Sequence, residues 1–222
     1  MSWRSSITWA LLIAAPGGAG SAEAAVLSGT VTVTERGGEA GDPSGAIVWL
    51  EGGPGGTPAA GRATIDTRNK SFEPEVISVP AGSTVSFPNA DPILHNVFSV
   101  SGENGFDLGL YGQGEGREVV LRNPGIVRVF CNVHPQMEAI VVVTPDRRSA
   151  RVSADGSFKI ADLPAGRYEV RVWERRSGLT GRDIELAAEE SMTLEFRLDA
   201  SNYRRRPHLD KHGRPYVGRE RY

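Results

Sequence analysis

The sequence has few of the residues that most often build metal and catalytic sites. It contains a single cysteine, Cys131, and four histidines, His95, His134, His208 and His212. One cysteine excludes an intramolecular disulfide, so the chain is not a disulfide-stapled scaffold. Because His208 and His212 stand among the last 22 residues, the body of the chain cannot assemble a site from three or more imidazoles.

Long hydrophobic runs and helical periodicity are also missing. No window sustains the 3.6-residue period of an amphipathic helix, and no apolar stretch reaches the roughly 20 residues that span a bilayer. Instead, 27 glycines and 14 prolines separate short runs rich in valine, isoleucine, threonine and aromatic residues. This sequence pattern is typical of short strands joined by turns. The sequence therefore predicts an all-β protein with no transmembrane span in the mature chain.

The first 25 residues have the pattern of a signal peptide. Arg4 gives a weakly positive start, residues 7–15 form a short apolar segment, and an Ala-Glu-Ala cleavage motif precedes Ala25. We predict export to the periplasm with removal of residues 1–25. The alternative is an uncleaved anchor, for which the apolar segment is too short. In an oxidising compartment a lone thiol that forms no disulfide needs another partner.

Two residues that can bind a metal follow Cys131 within six positions of the sequence. His134 stands three residues after it and Met137 six residues after it, directly behind an apolar strand at residues 126–130. Two imidazoles, a thiolate and a weak thioether form the ligand set of a blue-copper electron-transfer centre. With His95 as the second imidazole, we predict that His95, Cys131, His134 and Met137 bind one metal ion. The alternative is a buried cysteine that acts as a small hydrophobic residue.

Short predicted strands surround these ligands, with turns spaced as in an antiparallel sandwich. They cover residues 63–66, 75–79, 84–87, 96–100, 117–121, 126–130 and 139–143. Within residues 62–145 four motifs resemble the cupredoxin family, and the short gap between His134 and Met137 is similar to that of the amicyanins. The motifs are Phe72-Glu73-Pro74, residues 79–89 (Val-Pro-Ala-Gly-Ser-Thr-Val-Ser-Phe-Pro-Asn), His95-Asn96-Val97 and Cys131-x-x-His134-Pro135-x-Met137.

The resemblance implies a cupredoxin Greek-key β-sandwich that holds one type 1 copper ion. It implies single-electron exchange with a redox partner protein through the exposed edge of His134, which stands beside Pro135. Ile93 and Leu94 are candidates for an apolar patch around that edge, and the alternative places both in the core. Asn96 resembles the cupredoxin asparagine that ties the two ligand segments together by hydrogen bonds.

One position departs from the amicyanin pattern. Amicyanins have a proline just before the second ligand histidine, whereas this chain has Val133, which retains a backbone N–H. If that N–H reaches the Cys131 sulfur, it stabilises the thiolate and raises the reduction potential.

The flanking segments predict a second β-sandwich. Residues 26–34 alternate at period two and residues 46–51 form a second apolar strand, while the strands of residues 150–200 also alternate at period two and are joined by Asp-Gly and Pro-x-Gly turns. The motifs Ser-Gly-x-Val, Asp-Gly-x-Phe and Leu-Pro-x-Gly-x-Tyr are similar to the carboxypeptidase regulatory-like (transthyretin-like) module. The resemblance implies one sandwich made of both segments, with residues 62–145 inserted through a glycine-rich linker at residues 52–61. The alternative is two strands added to the cupredoxin edge and a separate C-terminal domain.

Charge is distributed unevenly along the chain. Residues 201–222 carry seven lysines and arginines against two acidic residues, although the whole chain has a net charge of −2. This segment has no apolar periodicity, so we predict a basic flexible tail. His208 and His212 would suit a metal pair on a helix, which Gly213 and Pro215 argue against. An arm that docks on an acidic partner is a further alternative.

Together these features predict an exported copper protein that carries electrons and is not an enzyme, because no second copper site or Ser/His/Asp triad can be assembled. The main alternative is a periplasmic copper carrier or buffer without a redox role.

A third hypothesis treats the flanking sandwich as an adhesion or carbohydrate-binding module. That role would need an exposed aromatic platform, whereas Trp49 and Trp173 are expected to be buried in strands. No nucleic-acid partner is expected.

Overall fold

The chain is built from β-strands, which confirms the predicted all-β class. The computed structural model describes residues 24–57 and 59–216, so the predicted signal peptide lies outside the described residues except for its last two positions. Two short 3₁₀ turns, Arg36–Gly38 and Gly102–Asn104, are the helical elements of this part of the chain, and no helix in it is long and apolar enough to cross a membrane. The strands are β1 (Ala25–Thr34), β2 (Ala40–Gly41), β3 (Ile47–Gly52), β4 (Arg62–Thr64), β5 (Asp66–Arg68), β6 (Ser71–Glu73), β7 (Val76–Pro80), β8 (Ser83–Pro88), β9 (His95–Ser99), β10 (Phe106–Tyr111), β11 (Gly116–Leu121), β12 (Gly125–Cys131), β13 (Glu138–Thr144), β14 (Ser149–Arg151), β15 (Ser157–Leu163), β16 (Gly166–Glu174), β17 (Gly178–Leu186) and β18 (Ser191–Asp199).

The middle of the sequence forms a central sandwich, which comprises β4 to β13. One sheet has the strand order β10-β9-β12-β13-β7, and the other has the order β11-β8-β4. Alternate residues of β12 (Val127, Val129 and Cys131) and of β8 (Val85 and Phe87) are buried in one shared core. This period of two is what a strand produces when one of its faces packs against a second sheet.

The two ends of the sequence form an outer sandwich. Its first sheet has the order β15-β1-β18, with β2 paired to β1, and its second has the order β14-β3-β16-β17. Strand β1 runs parallel to β18 and antiparallel to β15. Gly29 of β1 is required because a Cβ there would lie 2.1 Å from the Leu194 carbonyl oxygen and 2.8 Å from the Phe158 ring. Residues from both sheets share a second core.

A third apolar cluster joins the two sandwiches. Trp49 of β3 and Trp173 of β16 pack with residues of β7 and β13, among them Val76 and Ile140. Strand β3 is therefore buried on both faces, since its intervening residues Val48 and Leu50 belong to the outer core. Burial on both faces explains why β3 is an unbroken apolar run. It also confirms that both tryptophans are buried, with 5% and 7% of their surfaces exposed.

The chain crosses between the sandwiches twice, at residues 53–61 and 145–148. Among the described strands, β1 and β3 pair with strands that follow residue 148, and β4 to β13 pair with one another. Insertion of one sandwich into the other requires this pairing pattern. The domain boundaries themselves remain predictions.

Residues 201–216, which we call the C-terminal strap, lie against the central sandwich. The His208 ring stacks on Phe130 with ring centroids 4.2 Å apart and planes 24° apart. The Tyr216 hydroxyl donates to the Cys131 carbonyl at 3.0 Å, and the Lys211 ammonium lies 2.6 Å from the Asp107 carboxylate. These contacts come from single side chains, which leave no periodic signal in the sequence. The flexibility of the tail remains a prediction.

Candidate metal centre

Strand pairing brings the predicted ligands together at one end of the central sandwich. His95 begins β9, and Cys131 ends the neighbouring antiparallel strand β12, where Cys131 pairs with Val97. In an antiparallel pair the start of one strand lies beside the end of the other. The loop from β12 to β13 carries His134 back over this end of the sheet.

The three strong donors are within ligand distance of a common centre. The Cys131 Sγ lies 3.6 Å from His95 Nδ1 and 3.7 Å from His134 Nδ1, and the two nitrogens are 3.2 Å apart. Trigonal ligands about 2.0–2.3 Å from an ion lie about 3.5–4 Å from one another. The separations and the donor chemistry therefore fit one soft or borderline metal ion. In the part of the chain that the structure describes, no other three such donors meet this closely.

Met137 lies at the end of the same loop, and its side chain is buried in the central core together with Cys131. Its backbone N–H donates to the His134 carbonyl at 3.1 Å, and its carbonyl accepts from the Cys131 N–H at 3.3 Å. These two bonds close the loop and hold it against the strand ends. The assignment of Met137 as the weak fourth ligand remains a prediction.

Asp91 sets the orientation of the His95 ring, a role that the sequence alone did not suggest. Its carboxylate accepts from His95 Nε2 at 3.0 Å and from the backbone N–H groups of Asn69 at 2.6 Å and Lys70 at 2.9 Å. Burial opposes ionisation of Asp91, but these hydrogen bonds outweigh it and lower its pKa. Burial also lowers the pKa of His95 despite the carboxylate. A neutral ring that donates from Nε2 presents its Nδ1 lone pair to the site, as metal-binding histidines do.

Backbone N–H groups surround the thiol. Burial raises the pKa of Cys131, and the N–H groups of Asn96, Val133 and His134 act against that rise. The Val133 N–H lies 3.4 Å from the Cys131 Sγ, which confirms that this N–H reaches the sulfur. A positive ion among the donors would stabilise the thiolate against the cost of burial.

Asn96 ties the two ligand segments together through its backbone. Its carbonyl accepts from the Asn132 N–H at 2.9 Å, directly beyond Cys131. Its side-chain amide donates instead to Asp107 at 2.6 Å, and Asp107 in turn pairs with Lys211 of the strap. The two ligand segments are therefore tied by a backbone hydrogen bond, while the asparagine side chain links the site to the strap.

The second histidine lies nearer to the surface than the first. His134 is half-buried, whereas His95 is fully buried. Burial is the main cause that lowers the pKa of His134, and the nearby His95 lowers it further. Just before His95, the Leu94 side chain is 55% exposed and Ile93 is half-buried. Leu94 is thus on the surface rather than in the core, as the patch hypothesis requires.

Comparisons with known proteins find a likeness over part of the chain only. No protein-family model matches the sequence, and no curated protein matches it. Among solved structures, a purple cupredoxin from Nitrosopumilus maritimus is 24% identical over 37% of this chain and 99% of its own, with a TM-score of 0.33. Amicyanin from Paracoccus versutus is 22% identical over 37% of this chain and 80% of its own, with a TM-score of 0.35.

A copper-containing nitrite reductase from Thermus scotoductus is also similar. It is 28% identical over 37% of this chain and 22% of its own length, with a TM-score of 0.35. This chain therefore spans about a fifth of the length of that enzyme. Each of the three likenesses covers little more than a third of this chain.

Proposed function

We propose that this chain is an exported type 1 copper protein that carries single electrons between periplasmic redox partners. The observation that carries the proposal is the meeting of His95 Nδ1, Cys131 Sγ and His134 Nδ1 within 3.2–3.7 Å of one another in a buried site. Bound copper would supply a one-electron couple. Met137 would complete the ligand set as the weak axial donor.

The residues around the donors favour electron transfer because they restrict movement. Asp91 fixes the His95 ring, Val133 and Asn96 direct N–H groups at the sulfur, and the loop bonds of Met137 close the site. Donors held in this way change position little when the charge of the site changes. Little rearrangement is what rapid one-electron exchange requires.

The route by which electrons leave the site is proposed to be the exposed edge of His134. This ring is half-buried, and the exposed Leu94 side chain belongs to the loop that precedes the other ligand histidine. A small apolar surface suits the brief encounters of redox proteins, whose interfaces are small.

We further propose that the central sandwich is the predicted cupredoxin domain, residues 62–145. The outer sandwich would then be the predicted carboxypeptidase regulatory-like domain, made of residues 26–51 and 150–200. Support comes from the strand pairing, in which β3 pairs with β14 and β16 across the intervening central strands.

The proposal is tested on the full exported protein loaded with copper(II). An electron carrier is expected to show an intense visible thiolate-to-copper absorption, a reversible voltammetric wave and slow loss of copper to a chelator. The variants Cys131→Ser and His95→Ala should lose the absorption, whereas His212→Ala, which removes an exposed strap histidine, should keep it. Rapid exchange of copper with no reversible wave would favour the copper carrier or buffer instead. A protein that binds no copper contradicts both functions.

A further inference from the structure

A cavity of about 360 Å³ lies where the C-terminal strap passes the junction of the two sandwiches. Its apolar lining includes Ile126, Ile140 and Trp173, which belong to the cluster that joins the sandwiches. His208 of the strap also lines it. The volume is within the range of small-molecule sites, about 300–1,000 Å³.

The charged lining of this cavity is predominantly positive. Four arginines, Arg128, Arg175, Arg204 and Arg206, face one carboxylate, Glu138. Glu138 is already engaged, because it accepts from Arg128 Nη2 at 2.7 Å. Within the part of the chain that the structure describes, Arg204 and Arg206 make no hydrogen bond or ion pair. Arg175 Nη1 lies 3.3 Å from the carboxylate of Glu75, which is outside the lining, so the excess positive charge at the cavity comes from the exposed Arg204 and Arg206.

Two buried polar atoms of the lining have no partner among the described residues: Arg175 Nη2 and His208 Nε2. The opposite nitrogen of His208, Nδ1, donates to the Leu209 carbonyl at 2.9 Å. Nε2 therefore accepts a hydrogen bond through its lone pair when the ring is neutral and donates an N–H when the ring is charged. Buried polar groups in folded proteins nearly always have a partner, so these two atoms indicate a ligand.

We infer that this cavity binds a small phosphate-bearing molecule. A phosphate offers oxygens to Arg175, Arg204 and Arg206, and planar guanidinium groups bind such oxygens well. It also satisfies His208 in either ring state, because a phosphate oxygen accepts from the charged ring and a P–OH group donates to the neutral one. The apolar surface beside Trp173 leaves room for an organic part of the ligand. This inference does not depend on copper.

Calorimetric titration of the full exported protein, both metal-free and copper-loaded, tests the inference at fixed ionic strength. The probes are inorganic phosphate and phenyl phosphate. Both should bind, and phenyl phosphate should bind more tightly, since its ring can lie on the apolar surface. Removing one charge-assisted hydrogen bond by Arg175→Gln should weaken binding about tenfold or more.

Two further variants keep the test decisive if Arg175→Gln does not fold. The double variant Arg204→Gln/Arg206→Gln changes exposed side chains and should also weaken phosphate binding. Arg197→Gln, which removes an arginine that is 85% exposed on the outer sandwich, should not. The inference is overturned if wild-type protein binds neither probe at millimolar concentration, or if the double variant binds phosphate as tightly as wild type and Arg197→Gln do. Equal affinity for both probes would overturn the assignment of the apolar surface to an organic part.

Discussion

At the scale of single residues, the Val133 N–H is the contact with the clearest electronic consequence. It lies 3.4 Å from the Cys131 Sγ, and the variant Val133→Pro removes it. The sulfur would then donate more strongly to the metal and stabilise the oxidised ion, so the midpoint potential is expected to fall. Protein-film voltammetry measures the change. Val133→Ala keeps the N–H and should retain the wild-type potential, and an unchanged potential in Val133→Pro would contradict the role.

Asp91 is the residue whose loss should weaken metal binding without removing a ligand. The variant Asp91→Asn takes away the charged acceptor of the His95 Nε2 proton and of two backbone N–H groups. Loss of such an outer partner typically lowers metal affinity about 10–100-fold. Competition with a chelator of known affinity measures the loss. Asp155→Asn, at a surface turn of the outer sandwich, should bind copper as wild type does.

Residue types and spacing were sufficient to predict His95, Cys131 and His134 as neighbours, because few soft donors exist in the sequence. They were not sufficient for Asp91, whose role depends on a loop that returns its carboxylate to a ring four residues later. Tyr216 and Lys211 were also missed. Each reaches its partner through the docking of the strap, which no local pattern encodes.

At the scale of elements, the strap is expected to stabilise the metal loop. Tyr216→Phe removes the hydroxyl that donates to the Cys131 carbonyl at 3.0 Å. The loss of one such hydrogen bond costs about 1 kcal/mol of the free energy of unfolding. Urea titration of the metal-free protein measures this. Tyr203→Phe provides the matched control, because its ring is exposed and its hydroxyl makes no hydrogen bond among the described residues. Equal losses in the two variants would contradict a specific role for Tyr216.

The predicted strands of the central sandwich agree with the observed ones to within one or two residues at most ends, because each is a short run rich in apolar and β-branched residues between turns. Strand β10 was missed because the register shifts between Asp107 and Leu110 and Gly109 adopts a φ of 73°, which breaks the period of two. Strand β17 was missed for a different reason. It lies at the edge of its sheet, and most of its residues are exposed, so it lacks a continuous apolar pattern.

At the scale of the whole molecule, the junction between the sandwiches could not be predicted from sequence. The apolar runs of β3 and β13 indicate burial on both faces, but they do not specify the surface that covers the second face. In the structure each run supplies alternate residues to its own core and to the shared cluster. The surface that covers each face depends on the two crossings of the chain between the sandwiches. These crossings bring together strands that are far apart in the sequence, so no local pattern predicts the contact.

An ion pair between Asp146 and Arg148 ties these two crossings together. Asp146 Oδ1 accepts from Arg148 Nε at 2.9 Å, while Arg148 Nη1 donates to the Pro54 carbonyl of the other crossing at 3.2 Å. Both side chains are largely buried. Burial opposes ionisation of Asp146, but the bonds from Arg148 outweigh it and lower its pKa below 3.8. Its contribution to stability is therefore fully present above pH 3.8 and is lost as the pH falls through the folded-state value.

The variant Asp146→Asn leaves the buried Arg148 without its counterion, and it is expected to cost about 3–5 kcal/mol at pH 7. Because the variant has no carboxylate to protonate at this position, its stability should also fall less steeply than that of wild type below pH 3.8. Urea titrations of the metal-free protein at pH 7, 4 and 3 measure both effects. Glu185→Gln breaks the exposed pair with Arg167 and should cost no more than about 1 kcal/mol. A variant at Asp146 that retains the wild-type dependence on pH would show that this pair does not hold the crossings together.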